Sequence, residues 1–331
     1  MDSKKIPFPR VAVVGAGAMG SLFAVRLAST GVAVTVVDVD CRRLALIERE
    51  GLTLVDDAGV HSARVAAVTG AEAPAVDLVI LFTKGIHSAA AIASVAHLAA
   101  HRPAALTLQN GLGNAELLAR TFGRHRVVLG TSHVPADLSG PARVESHGPA
   151  EIEIGDLSSA SHNLARAVAA QLRAARFAVK IAEDIAVSVW EKVAFNAALN
   201  APAMICRATN AGLDNEPGRR LALRVVDEAV AVAGAAGIAL DRTRIAGKVA
   251  AALREHPLHK ASMLQDRDCG RSTEIDTING AISREGARFG VPTAACDTLC
   301  DLVRIIELGA NVQSSPGQAL RLASDHVAES I

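Results

Sequence analysis

The chain has 331 residues, half of them apolar and about a fifth charged, an ordinary globular balance and length enough for two domains with a large core. Its 34 lysines and arginines equal its 34 aspartates and glutamates, so no net field draws it to nucleic acid or an anionic membrane, and with no tyrosine and one tryptophan, Trp190, it lacks base-stacking platforms. No apolar run reaches the length of a membrane span, Met1–Pro9 lacks the apolar core of a signal peptide, and five cysteines without metal-like pairing point to a reduced, cytoplasmic protein.

In chain order, Val11–Val14 is a β-branched run that ends in Gly15-Ala16-Gly17-Ala18-Met19-Gly20, and an apolar helical pattern over Ser21–Ser29 follows at once. Strand, glycine turn and helix in that order form a dinucleotide site. Gly15 allows the tight turn, Gly17 lets the backbone approach a pyrophosphate, Gly20 lets the helix pack close, and the helix N-terminus offers N–H groups to the diphosphate. Val34–Val37, Leu78–Phe82, Ala105–Leu108 and Val127–Leu129 read as further buried parallel strands, with Arg42–Arg49, Ala89–Ala99 and Ala115–Thr121 as crossover helices. Strands alternating with helices predict a Rossmann-type, doubly wound α/β sheet. Ala142–Glu145 and Glu151–Ile154 read as added antiparallel strands, followed by a helix over His162–Ala174 and a strand over Ala178–Ile181.

From about Ala186 the pattern is helical: Val187–Leu199, Pro217–Ala236, Arg242–Leu253, Glu274–Phe289 and Ala294–Asn311, with Gly237, Gly290 and Pro292 as stops. The shift in composition divides the chain into a dinucleotide-binding domain, residues 1–184, and an all-helical substrate domain, residues 185–331. Ala-rich helical surfaces in the second are compatible with a homodimer.

The candidate chemistry lies in four places. Val34–Val37 ends in Asp38, with Asp40 two residues on; a carboxylate here accepts from ribose hydroxyls and repels a 2′-phosphate, which favours NAD(H) over NADP(H). Arg42 and Arg43 just beyond could face a phosphate but read more simply as solvated surface charges. Thr83-Lys84 and Gln109-Asn110-Gly111 follow neighbouring strands at their carboxyl ends, where open α/β sheets bind ligands. Lys192, Asn196 and Asn200, spaced by four, set an ammonium and two amides on one helical stripe. Ser262 and Asp266 precede a helix whose first turns carry Glu274 and Asn279; Asp266 reads as a partner of Arg271, and Asp276 as a first-turn helix carboxylate.

These segments, with Asn210-Ala211-Gly212 and Asn279-Gly280, run in order over nearly the whole chain and together resemble the ketopantoate reductase (2-dehydropantoate 2-reductase) family. The resemblance implies a Rossmann domain followed by a helical domain, and hydride transfer between a nicotinamide and a 2-oxo acid. It implies Lys192 as general acid, Glu274 beside the substrate in a catalytic role, Asn110, Asn196, Asn200 and Ser262 as substrate-binding groups, and Lys84 near the nicotinamide. Gly15, Ala16, Gly17, Ala18, Met19, Gly20, Asp38, Lys84 and Asn110 form the expected cofactor site; no metal is expected. One departure stands out. NADPH-using members carry an arginine near the end of the second strand, where this chain has Asp38-Val39-Asp40. That raises the alternative of an NAD-dependent D-2-hydroxyacid dehydrogenase acting on another acid, and bears on the pantothenate role. A nucleotide-sensing protein without turnover is the remaining alternative.

Overall fold

The computed structural model describes residues 7–158 and 163–314, with backbone alone at 310–314. Packing divides the chain into two compact units, Met1–Val189 and Trp190–Ile331.

The first unit starts with β1 (Arg10–Val14), α1 (Ala18–Ala28), β2 (Ala33–Val37) and α2 (Cys41–Glu50). A hairpin of β3 (Leu52–Asp56) and β4 (Gly59–Ala63) follows, then β5 (Ala66–Val68), β6 (Leu78–Leu81), α3 (Ser88–Ser94), β7 (Ala104–Thr107), α4 (Asn114–Phe122) and β8 (Val127–His133). It ends with β9 (Asp137–Gly140), β10 (Arg143–Ser146), β11 (Glu151–Asp156), α5 (Leu164–Ala174) and β12 (Ala178–Ile181). The main sheet has the order β12-β11-β8-β7-β6-β1-β2-β5. The strands from β8 to β5 are mutually parallel, and β11 joins β8 antiparallel. Because β1 lies between β2 and β6, the chain winds away from it in both directions, and the crevice at its carboxyl end is the switch point where such sheets take ligands. The central strands are near-continuous aliphatic runs because both sheet faces are covered: Val11 and Val13 belong to one core cluster, Ala12 and Val14 to the other.

The expected added strands divide between two sheets. β11 is antiparallel in the main sheet, as read, but β10 belongs to a second, four-stranded sheet of order β4-β3-β10-β9, where it runs parallel to β3 and antiparallel to β9. The span read as one helix over Ala89–Ala99 is α3 followed by a 3₁₀ segment, Ala96–His101. His162 of the expected fifth helix lies outside the described residues.

In the second half come α6 (Ile185–Cys206), α7 (Asn210–Leu213), α8 (Glu216–Ala235), α9 (Arg242–Glu255), α10 (Ser262–Asp268), α11 (Asn279–Phe289) and α12 (Ala294–Ser314). Gly290 ends α11 in the left-handed region at φ 70°, the conformation a helix stop of this kind requires. Two expectations are corrected. Ser262 and Asp266 do not merely precede a helix but form the short α10, and α11 begins at Asn279 rather than Glu274. Residues 274–278 are turns instead: the amides of Thr277 and Ile278 both reach back to the Glu274 carbonyl, and the Ile278 backbone (φ −104°, ψ −89°) breaks the helical register. No helix among the described residues is long and apolar enough to cross a membrane.

Candidate functional site

In the first unit the glycine turn has the geometry its residues predict. Gly15 adopts φ +102°, and a Cβ there would lie 2.8 Å from the Phe82 carbonyl carbon. A Cβ on Gly20 would lie 1.8 Å from the Gly15 carbonyl oxygen, so only glycine lets α1 start this close to the turn. Gly17 is different: a Cβ there meets nothing within 4 Å, leaving open space above the backbone. Gly17 is also the N-cap of α1, with no side chain capping the helix and no acidic residue in its first turn. The amides of Ala18, Met19 and Gly20 thus meet neither a side-chain cap nor a competing carboxylate, which suits an anion.

Asp38 follows β2 and is braced to this turn. Its Oδ2 accepts from the Ala16 amide at 2.6 Å, and its Oδ1 accepts from the amides of Val39 at 2.7 Å and Asp40 at 3.1 Å. A carboxylate has about four lone-pair positions, so one stays open to a ribose hydroxyl. Asp40 serves a different purpose, capping α2 by accepting from the amides of Arg42 and Arg43, each at 3.1 Å. Arg43 departs from the expected solvated charge. It is half-buried, its Nη2 donates to Ser21 Oγ at 3.2 Å, and burial lowers its pKa against the opposing pull of Asp38 and Asp40. A cationic group therefore stands beside the glycine turn.

Lys84 and Asn110 lie on the loops after β6 and β7, which pair in parallel register. One side chain that the sequence reading left without a role, Gln109, ties these loops together. Its Nε2 donates to the Thr83 carbonyl and, at 2.8 Å, to Ser88 Oγ, while Oε1 accepts from the Thr107 hydroxyl at 2.9 Å. Ser88 in turn donates to Asn114 Oδ1 at 2.9 Å, and Asn114 Nδ2 reaches the Asn110 carbonyl at 3.2 Å. Ser88 and Asn114 are buried at the starts of α3 and α4. The polar Gln109 next to Asn110 was the available signal for this network; Ser88 and Asn114 carried none.

In the second unit, α6 carries Lys192, Asn196 and Asn200 on one stripe. Asn200 is buried, and its Nδ2 donates to Ser262 Oγ at 3.1 Å, so the end of the stripe meets the start of α10. Burial pushes the Lys192 ammonium down to about 8, and the negative charge of Glu274 partly opposes it. Asn279, fully buried at the head of α11, donates to the Ala197 carbonyl at 3.1 Å and fixes α11 against the middle of α6. The fold thus gathers Lys192, Asn200, Ser262 and Glu274, from three separate segments, around one helix. Asn196 is half-buried between them.

Other motif residues are structural. Asp266 pairs with Arg271 at 3.1 Å, as its spacing suggests. Asp276 is no helix carboxylate: it lies before α11 and pairs with Arg304 at 2.6 Å. Asn210 is buried and donates to the Ala252 carbonyl at 2.8 Å, securing the end of α9. Cys296 and Cys300 are both buried in α12, and burial raises both thiol pKa values, that of Cys300 to about 11.

Comparison with known proteins matches residues 11–159 to the family model described as "Ketopantoate reductase PanE/ApbA" and residues 184–307 to "Ketopantoate reductase PanE/ApbA C terminal". The chain is 29% identical to the 2-dehydropantoate 2-reductase of Lactococcus lactis subsp. lactis, over 89% of this chain and 96% of that protein. It is 31% identical to the 2-dehydropantoate 2-reductase of Halobacterium salinarum, over 90% and 99%. Among solved structures, the ternary complex of D-mandelate dehydrogenase with NADH and anilino(oxo)acetate superposes with a TM-score of 0.86 at 29% identity, covering 92% of this chain and all of the other.

Proposed function

This chain belongs to the ketopantoate reductase family, and from that premise we propose that it interconverts a 2-oxo acid and its 2-hydroxy acid with NAD(H) as the favoured cofactor and Lys192 as the proton donor. The observation that carries the reading is the Lys192 ammonium, pushed by burial to about 8 and partly opposed in this by Glu274.

The residues present fit a dinucleotide. The open space over Gly17 and the α1 amides would take the pyrophosphate, and the remaining lone pair of Asp38 would take a ribose hydroxyl. A 2′-phosphate would face the Asp38 charge, which favours NAD(H), while Arg43 nearby softens that discrimination. A reduced nicotinamide bound there supplies a hydride to the substrate carbonyl carbon. Lys192 meets the charge that develops on the carbonyl oxygen and delivers the proton. A general acid works best when its pKa lies near the operating pH, and an ordinary lysine at 10.5 holds its proton too tightly for that. Glu274 keeps the ammonium protonated at neutral pH despite its burial. Asn196, Asn200 and Ser262 offer amides and a hydroxyl to the polar groups of the acid, a role also assigned to Asn110 after β7, while Lys84 after β6 is assigned to the nicotinamide.

A second reading, a D-2-hydroxyacid dehydrogenase acting on a bulkier acid, is favoured by Asp38 and by the likeness to a D-mandelate dehydrogenase solved with NADH. A panel of 2-oxo acids, including 2-dehydropantoate and aryl- and branched-chain acids, each with NADH and NADPH and read by nicotinamide absorbance, separates the two. Turnover with NADH above NADPH is expected. A tenfold preference for NADPH overturns the cofactor assignment, and tight NADH binding without turnover on any acid points to a nucleotide sensor.

A further inference from the structure

Glu274 stands on a segment with neither helix nor strand. Inside this segment its own carbonyl oxygen accepts from the amides of Thr277 and Ile278, both at 3.1 Å, and from the Thr277 hydroxyl at 3.2 Å, while the Ile275 amide donates to Thr273 Oγ1 at 3.3 Å. These bonds shape the turn but do not seat it against the rest of the second unit. The buried side chains of Ile275 and Ile278 anchor it in the core, and α12 adds polar contacts on both sides of Glu274. One residue before Glu274, the Thr273 amide donates to Glu307 Oε1 at 2.7 Å. Two residues after it, Asp276 accepts from Arg304 Nη2 at 2.6 Å and Nε at 3.2 Å. Arg304 and Glu307 are three apart, hence neighbours on one face of α12, and they hold the chain on both sides of Glu274.

We propose that Glu307 and Arg304 of α12 are positioning residues for Glu274, seating its segment so that the carboxylate stays beside Lys192. The proposal rests on the roles of Glu274 and Lys192 given above. The two contacts differ in weight. Thr273 is 2% exposed, so losing Glu307 leaves a buried amide without its charged acceptor. The Arg304–Asp276 pair is 45% and 47% exposed, where ion pairs contribute little. Glu307 is therefore the stronger of the two. Among the described residues, Lys192 of α6 acts on Glu274 itself, Glu307 and Arg304 of α12 contact its neighbours Thr273 and Asp276, and Arg284 of α11 lies with Asp276 near Gly280.

The test compares Glu307→Ala, Glu307→Gln and Arg304→Met in the native protein and in a Glu274→Gln background, measuring kcat, KM, the pH profile of kcat/KM and thermal unfolding. In the native background Glu307→Ala is expected to lower kcat by about tenfold or more, and Arg304→Met by a smaller factor. Glu307→Gln should restore most of the rate, because its amide oxygen still accepts from Thr273. In the Glu274→Gln background none of the three should cost anything further. Glu307→Ala should also move the pH limb set by Lys192 downward, as Glu274→Gln does. An equal loss in both backgrounds would mean a merely structural role and overturn the proposal. So would an unchanged rate in Glu307→Ala when Glu274→Gln is slow. If Glu274→Gln itself is fully active, the role of Glu274 falls and the proposal with it. Should Glu307→Ala not fold, Arg304→Met carries the same two-background comparison.

Discussion

Replacing Lys192 with methionine should abolish turnover and make the protein more stable. The side chain is nearly isosteric, and its thioether needs no hydration. Burial holds the native ammonium at about 8 against an ordinary value of 10.5. The folded state therefore binds this proton more weakly than the unfolded state does. The sign follows: the penalty is full below about pH 8 and fades as pH rises toward the ordinary lysine value, because the unfolded chain then loses its proton too. At 1.36 kcal/mol per pH unit the full penalty is about 3 kcal/mol, an upper figure because relaxation and water penetration reduce it. Urea unfolding at pH 7 should show Lys192→Met more stable than the native protein by about 1–3 kcal/mol, with the difference shrinking by more than half by pH 9.5. Turnover should fall by about a hundredfold or more while NADH binding is retained. A variant less stable than the native chain at both pH values, or one retaining native turnover, would refute the reasoning.

Three further outcomes follow from the same geometry. Glu274→Gln removes the one charge that opposes the desolvation of Lys192, so the alkaline limb of kcat/KM for reduction, expected near pH 8, should move down by about one pH unit or more; a stationary limb would separate Glu274 from Lys192. Gly20→Ala places a Cβ 1.8 Å from the Gly15 carbonyl oxygen and must push α1 off the turn, so titration of NADH fluorescence should show affinity weakened by about tenfold or more, and native affinity would mean the turn does not hold the cofactor. Asp38→Asn removes the charge facing a 2′-phosphate while Arg43 remains, and the NADPH-to-NADH ratio of kcat/KM should rise by about tenfold; adding Arg43→Ala should bring it back down, and a ratio indifferent to both changes would place discrimination elsewhere.

What could be read in advance was what periodicity and steric necessity impose. Val11–Val14 and Val34–Val37 are buried on both faces, which only an aliphatic run satisfies, and Gly15 and Gly20 are demanded by contacts under 3 Å. The stripe of Lys192, Asn196 and Asn200 needed only the helical repeat. The hairpin of β3 and β4 escaped notice because β4 is mostly exposed and shows no apolar alternation, although Asp56-Asp57-Ala58-Gly59 is a turn signal. The start of α11 differs from the sequence expectation because Ile275, Ile278 and Ile282 keep an apolar spacing that suits a helix; what breaks it is a backbone bond pattern, with two amides on one carbonyl, that no spacing rule encodes. The long-range partners were invisible for a plainer reason. Gln109 to Ser88, Asn200 to Ser262 and Thr273 to Glu307 each join segments more than 20 residues apart, and nothing local in any of them specifies the other.

The two charges on which the proposed function turns are held in opposite ways, and that decides how each can be tested. Lys192 is desolvated and opposed by the charge of Glu274, so its proton is available at neutral pH and its removal can be read directly in rate. Asp38 accepts three backbone amides, and one of those amides, Ala16, belongs to the glycine turn itself. Its charge and the shape of the turn are therefore one structural fact. An asparagine keeps one acceptor oxygen but turns the other position into a donor that must meet either Ala16 or the pair Val39 and Asp40 head-on; an alanine loses all three bonds. Neither change leaves the turn untouched, so weaker binding of either cofactor alone would say nothing about the ribose. Damage to the turn falls on the pyrophosphate, which NADH and NADPH share, and it cancels in the ratio of their kcat/KM values. Only the 2′-phosphate term survives that division, and it is the term that Asp38 and Arg43 pull in opposite directions.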